Sequence, residues 1–310
     1  MKWTTKATIQ RILDAVPLGQ KIYFAGQRYA GGFRRFSISR HLNDVKTLTA
    51  MFAMTDTPLA GSRAVEIGAG WMPVVPIALW MHGMMSCASY DVSPLLKDEF
   101  IPRIIERLPD ADHFESPFLE SHPSVREIWN RRRNELQTLV RDGASASTIL
   151  KRCGINYHAP VDTGALALPD ESVDIVFSVS VLEHVPTNEI HRIFSECRRI
   201  LRPNGIMVHI INPSDHFSHG DPSIASINFL QYSEKDFARY NTSFCYQNRL
   251  RASQYRQMII QHNFSVLAFR APVDFTAMER LDQIPLNPYF AQFSKEDLCA
   301  HEVNVVAQRQ

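Results

Sequence analysis

Glu66 stands two positions before a pair of glycines, Gly68 and Gly70, and a second acid, Asp91, follows Gly70 by 21 positions. Two glycines between apolar runs let a backbone come close to something. The candidates are a nucleoside triphosphate, a dinucleotide pyrophosphate, an adenosyl cofactor, or no more than a neighbouring strand. A triphosphate loop requires GxxxxGK[ST], which the chain lacks. A dinucleotide fingerprint requires a third glycine where Pro73 stands. Glu66 separates what remains. A carboxylate beside a pyrophosphate meets like charge, whereas beside S-adenosylmethionine it meets an α-ammonium and a sulfonium, both positive. Asp91 has the spacing at which an acid reaches ribose hydroxyls, a test that NAD also passes.

A second set of residues could act on an acceptor. His184 lies in "VLEHV", and "INPSDHFSHGDPS" (211–223) packs Asp215, His216, His219 and Asp221 into seven residues. His184, His216, His219 and Asp215 are the candidates for a base or acceptor contact. His216 and His219 are three apart, but the surrounding prolines and glycine indicate a loop that does not fix ligand geometry, so no metal site is assigned. Arg34 or Arg35 in "GGFRRF" (31–36), near Tyr23 and Tyr29, could bind an acceptor carboxylate or be a surface pair. Asn248, Arg249 and Arg251 could serve an anion or cap structure. Arg131–Arg133 alternate with Glu127 and Glu135 and read as a solvated helix face.

These residues need elements to hold them. From residue 63 short β-rich runs alternate with helical ones, the pattern of a mostly parallel, doubly wound α/β sheet. "RAVEIG" reads as a first strand, "PVVPIALWM" as the next helix and "SCASYD" as a second strand. "SVDIVFSVSVL" (172–182) reads as a central strand buried on both faces. A helix from Thr187 should stop at "RPNG" (202–205), before a strand over "IMVHII". "SQYRQMIIQHNF" reads as a helix, with "SVLAFRA" and "HEVNVVAQR" as two closing strands, for seven in all. Residues 1–60 read as a helical N-terminal lid, with Ile9, Ile12, Leu13 and Val16 on one face behind a Thr4/Thr5 cap. Residues 61–310 form the main domain, with a helical insertion at 95–155 and an acceptor-side loop region at 212–250.

"VEIGAG", "YDVS", "D…ALPDESVDIVFSVSVLEHVP" and "IFSECRRILRPNGIMVHI" together resemble the successive motifs of class I S-adenosylmethionine-dependent methyltransferases, over roughly residues 60–212. The family's third glycine is Met72 here. The resemblance implies a Rossmann-like fold, S-adenosylmethionine as cofactor and a small-molecule, bacterial type of enzyme acting on a metabolite, amino acid or sugar derivative. It implies that Glu66, Gly68, Ala69 and Gly70 shape the loop around the methionine part. Asp91, with Val92, would hold the ribose, and Asp162, with Thr163, would lie beside the adenine. Ser178 and Ser180 would line the path to the acceptor.

The remaining expectations come from totals. With 33 basic and 32 acidic residues the net charge is +1, so no polyanion is implied, and the turn after the central strand is not the Asn-Pro-Pro-aromatic type that grips a flipped base. No nucleic-acid partner is expected. The five cysteines form no CxxC pair, which fits a reducing cytoplasm. The N-terminus lacks the apolar core of a signal peptide and no stretch is long enough to span a bilayer, so no membrane partner is expected. The insertion could support a homo-oligomer. An NAD-dependent oxidoreductase and a non-catalytic S-adenosylmethionine-binding module are the rival readings.

Overall fold

The computed structural model describes residues 1–19, 22–23, 25–26, 37–243 and 245–310. Tyr29 and the "GGFRRF" segment lie outside the described residues. In chain order the labelled elements are α1 (Trp3–Asp14), α2 (Ser39–Phe52), β1 (Arg63–Ile67), α3 (Val74–Met81), β2 (Ser86–Tyr90), α4 (Phe100–Arg107), α5 (Pro123–Arg141), α6 (Ala146–Arg152), β3 (Ile155–His158), β4 (Val173–Val179), α7 (Thr187–Ile200), β5 (Leu201–Ile211), α8 (Ala252–Gln261), β6 (Phe264–Arg270) and β7 (Val303–Arg309).

The seven strands form one sheet in the order β3-β2-β1-β4-β5-β7-β6. All pairs are parallel except those made by β7, which runs antiparallel to both β5 and β6. The strand order reverses between β1 and β4, and this junction is where open α/β sheets hold ligands. The β4 sequence VDIVFSV has almost no polar interruption because both of its faces are covered. Ile175 and Phe177 face one core, with Val45, Leu48, Ile77, Trp80 and Trp129. Val176 faces the other, with Phe194, Ile200, Tyr255 and Ile259.

Four expectations require correction. The α1 stripe does not face inward: Ile9, Ile12 and Val16 are exposed, while Ala7 and Gln10 are buried. The helix attaches through its other face, where the Trp3 ring meets Phe217 and Tyr240, and its cap is Lys2 rather than Thr4 or Thr5. The "RPNG" segment does not separate helix from strand. Helix α7 ends at Ile200, and β5 runs through 202–205 as an irregularity where pairing jumps from Val173↔Leu201 to Ile175↔Ile206. Asn204, at φ 63°, makes the turn that proline and glycine suggested.

The helical region 95–155, between β2 and β3, packs as a covering layer of the sheet. Val125, Trp129 and Leu136 of α5 are buried in the main core, with Trp129 stacked on Phe114. The stretch 131–133 is not merely a solvated face. Arg132 donates to the carbonyls of Trp80 and Met84, and Arg133 donates to that of Leu108, so both clamp α5 onto the domain.

Candidate active site

The carboxyl ends of the parallel strands β1 to β5 lie along one edge of the sheet, and the candidate residues sit near or after them. After β1, the amides of Gly68 and Ala69 both donate to Tyr90 O, which folds the loop tightly back on β2. Gly68 has φ 79°, and a Cβ there would stand 2.3 Å from Val181 Cγ2, so no other residue fits. Gly70 also has positive φ (63°), but a Cβ there would meet nothing within 4 Å. The loop therefore holds one glycine for packing and one that borders open space.

That space is a cavity of about 320 Å³ lined by Glu66, Gly68 through Met72, Val75, Val179 and Ser180, with Arg40, His41 and Asp44 from α2. Its size is within the ordinary range for small-molecule sites. Glu66 is buried, accepts from Ser89 Oγ at 2.6 Å, and has its pKa raised to about 8 by burial, with Asp91 adding to the shift. Asp44 is raised to about 6, again chiefly by burial. Two desolvated acids on one cavity create a demand for positive charge. An adenosyl cofactor with an ammonium and a sulfonium fits that demand, and a pyrophosphate does not.

Asp91 accepts from the Gly70 amide and the Ser93 amide, both at 2.8 Å, so it joins the two loops directly. Val92 beside it is exposed and Thr163 is buried. Asp162 accepts from Arg192 at 2.6 Å and from the Gly164 amide, at the rim of the same edge. Ser178 does not line the cavity. It is fully buried inside β4, its hydroxyl 2.7 Å from His209 Nδ1 on β5. Ser180 takes its place, held at φ 53° with its hydroxyl accepting from Arg40 at 3.4 Å.

The acceptor-side residues divide. His184, His216 and His219 form a row, with ring centroids 4.8 Å apart for the first pair and 5.1 Å for the second. Asp215 is not available as a base: it is buried, and its carboxylate accepts from the Phe217 amide and from Asn228, closing a turn. Asp221 instead caps α1, accepting from the Trp3 amide at 2.8 Å. Arg249 and Arg251 take the structural role. Arg251, fully buried, donates to the carbonyls of Pro213, Arg249 and Leu298, and Arg249 donates to those of Phe229 and Tyr232. The α2 residues Arg40, His41 and Asp44 had no part in the sequence reading. Their i, i+4 pair of opposite charges was the available signal, but nothing in it said which edge of the sheet α2 would reach.

Residues 143–209 match a family described as a methyltransferase domain. The matched segment runs from α6 through most of β5. The chain carries a methyltransferase domain on a Rossmann-like, seven-stranded sheet. S-adenosylmethionine is the cofactor of this methyltransferase. Among solved structures, an S-adenosylmethionine-dependent methyltransferase from Mesorhizobium loti is 17% identical with a TM-score of 0.45, covering 86% of this chain and 100% of its own. A protein from Galdieria sulphuraria, assigned as a sarcosine dimethylglycine methyltransferase, is 14% identical with a TM-score of 0.46 (87% and 86% covered). A methyltransferase from Methanosarcina mazei is 14% identical with a TM-score of 0.44 (84% and 96% covered). No curated protein matches the sequence. Among the described residues no helix of the methyltransferase is long and apolar enough to cross a membrane.

Proposed function

We propose that this methyltransferase modifies a small molecule that enters between α1, the 212–250 region and the histidine row. The observation that carries this is the cavity of about 320 Å³ at the β1/β4 junction, where the buried Glu66, the half-buried Asp44 and Arg40 line the space beside the glycine loop. When bound, S-adenosylmethionine supplies a methyl carbon activated on a sulfonium. The chain's own residues do the rest. Glu66 and Asp44 offer carboxylates to the cofactor's ammonium, and Arg40 offers its guanidinium to the carboxylate. Gly70 leaves the room the chain of the cofactor needs. Asp91 keeps acceptor capacity for ribose hydroxyls beyond the two amides it already serves, and Asp162 stands toward the adenine end.

The acceptor faces Ser180, His184, His216 and His219. Burial pushes His216 down to about 3, aided by the neighbouring histidines and Arg40, so its ring stays neutral near pH 7 and offers a lone pair for contact but is a weak base. Closure by α1 supports exclusion of water. Trp3 seals against Phe217, Tyr232 and Tyr240, and Asp14 accepts from Ser243.

Calorimetric titration with S-adenosylmethionine, S-adenosylhomocysteine and NADH in parallel tests this reading. The first two should bind in the micromolar range and NADH should not. Glu66→Ala and Asp91→Ala should each weaken binding by about 1–3 kcal/mol. Unchanged affinity in both variants would remove these residues from the cofactor site.

A further inference from the structure

Glu183 is absent from every role described so far, although it is buried at the end of β4 beside the histidine row. Neither of its carboxylate oxygens makes a hydrogen bond of good geometry among the described residues, although the backbone amides of Glu183 and Asn212 stand near it, and His216 Nε2 has no partner among them. A ligand atom from each of Glu183, His184 and His216 lies within 4.8 Å of the other two. The sequence argued against a metal because His216 and His219 sit in a loop. The fold draws the group from two loops instead, one after β4 and one after β5.

The supports around this group are those of a ligand set. His184 Nδ1 lies 2.7 Å from Tyr246 O; a carbonyl only accepts, so Nδ1 carries the proton and Nε2 keeps its lone pair. Metal-binding imidazoles are oriented in this way. The next two residues hold the other members: Gln247 Oε1 accepts from the His216 amide, and the Asn248 amide donates to Glu183 O. Asn248 also donates to Leu182 O and Val185 O, which fixes the turn carrying Glu183 and His184. One short segment, 246–248, thus positions all three residues. Leaving a buried carboxylate with no well-placed donor is costly unless something cationic meets it.

We propose that Glu183, His184 and His216 bind a divalent first-row transition ion of the zinc type at the acceptor side of the site. Two imidazoles and one carboxylate give three protein ligands, which leaves an open position for a polar group of the acceptor. The proposal rests on the methyltransferase reading, since Arg40, the cation nearest this group from α2, is neutralised when it pairs with the cofactor's carboxylate. His219, stacked on His216 at the exposed side, is not a member of the set.

The test uses the full chain, stripped with chelator and titrated with zinc chloride, with and without saturating S-adenosylhomocysteine, while S-adenosylhomocysteine binding is measured separately. One equivalent of zinc should bind, more tightly with the nucleoside present. Glu183→Gln and His216→Ala should each weaken zinc binding on the order of 10- to 100-fold. Because either variant could disturb the fold, cobalt(II) is also added to the unaltered protein. Visible d–d bands without a thiolate charge-transfer band support this N/O ligand set, whereas a thiolate band assigns the ion to cysteine and overturns the proposal. Failure of zinc to bind a protein that still takes S-adenosylhomocysteine overturns it too and leaves the methyltransferase reading intact. Failure of S-adenosylhomocysteine itself to bind is the outcome that removes that reading.

Discussion

Glu66 shows how much a single position carries. Burial holds its carboxyl at about 8, well above the ordinary carboxylate range, so the free protein near neutral pH keeps it largely protonated. An arriving ammonium or sulfonium favours the ionised form. Cofactor binding near pH 7 should therefore release close to one proton, read as a dependence of the calorimetric heat on the ionisation enthalpy of the buffer. Glu66→Gln should remove that dependence, and its persistence would mean that another group ionises. Glu183 is likewise raised to about 8. For both acids the folded value exceeds the unfolded one, so their contribution to stability is complete below the usual carboxylate range and is lost as pH rises toward 8. The thermal midpoint of the free protein should fall over this window, and fall less in Glu66→Gln. Gly68 is constrained for another reason: Gly68→Ala combines a positive φ with a 2.3 Å overlap on Val181, and should lower stability by at least about 2 kcal/mol in urea titration.

At the scale of elements, the segment from Asn248 to Arg251 joins parts of the chain that are remote in sequence. The buried Arg251 guanidinium serves three carbonyls, and burial lowers its pKa to about 10. Arg251→Met leaves those carbonyls without their donor and should cost about 2–4 kcal/mol, measured by the urea midpoint. In α5 a different principle governs. Trp129 fills the main core between α3 and α4, so Trp129→Ala should cost about 3–5 kcal/mol while leaving cofactor affinity per folded molecule unchanged. A large loss of affinity there would mean that the covering layer also shapes the glycine loop.

For the whole molecule, the sheet places the glycine loop, Asp91, Ser180 and the histidine row on one edge, and α1 closes over the far side through Trp3. Trp3→Ala removes the ring that bridges α1 to Phe217, Tyr232 and Tyr240. It should raise the hydrogen-exchange rate of residues 212–245 without changing that of β1 or β4. Equal protection in the variant would show that α1 is held by its polar ties to Asp221 and Ser243 alone.

The sequence by itself determined the sheet and the glycine turn after β1. Strands such as β4 are unbroken β-branched runs, and two glycines between an acid and an apolar helix allow few conformations, so local pattern was sufficient. It also fixed Glu66, Gly68, Gly70 and Asp91 as a set, because each lies within a few residues of a strand end. Local pattern was insufficient wherever a side chain's partner comes from a distant segment. Ser178 and Ser180 are two residues apart and would share a face of a continued strand, yet β4 ends at Val179 and the positive φ of Ser180 turns the chain, so that one meets His209 and the other the cavity. Asp215 and Arg251 carry the charges of a site, but tertiary hydrogen bonds made them structural. Helix α1 turned its apolar stripe outward because its docking surface is aromatic and sits around Trp3. The gathering of Glu183, His184 and His216 was also decided by the fold, since two loops after different strands must meet before three spaced residues become neighbours.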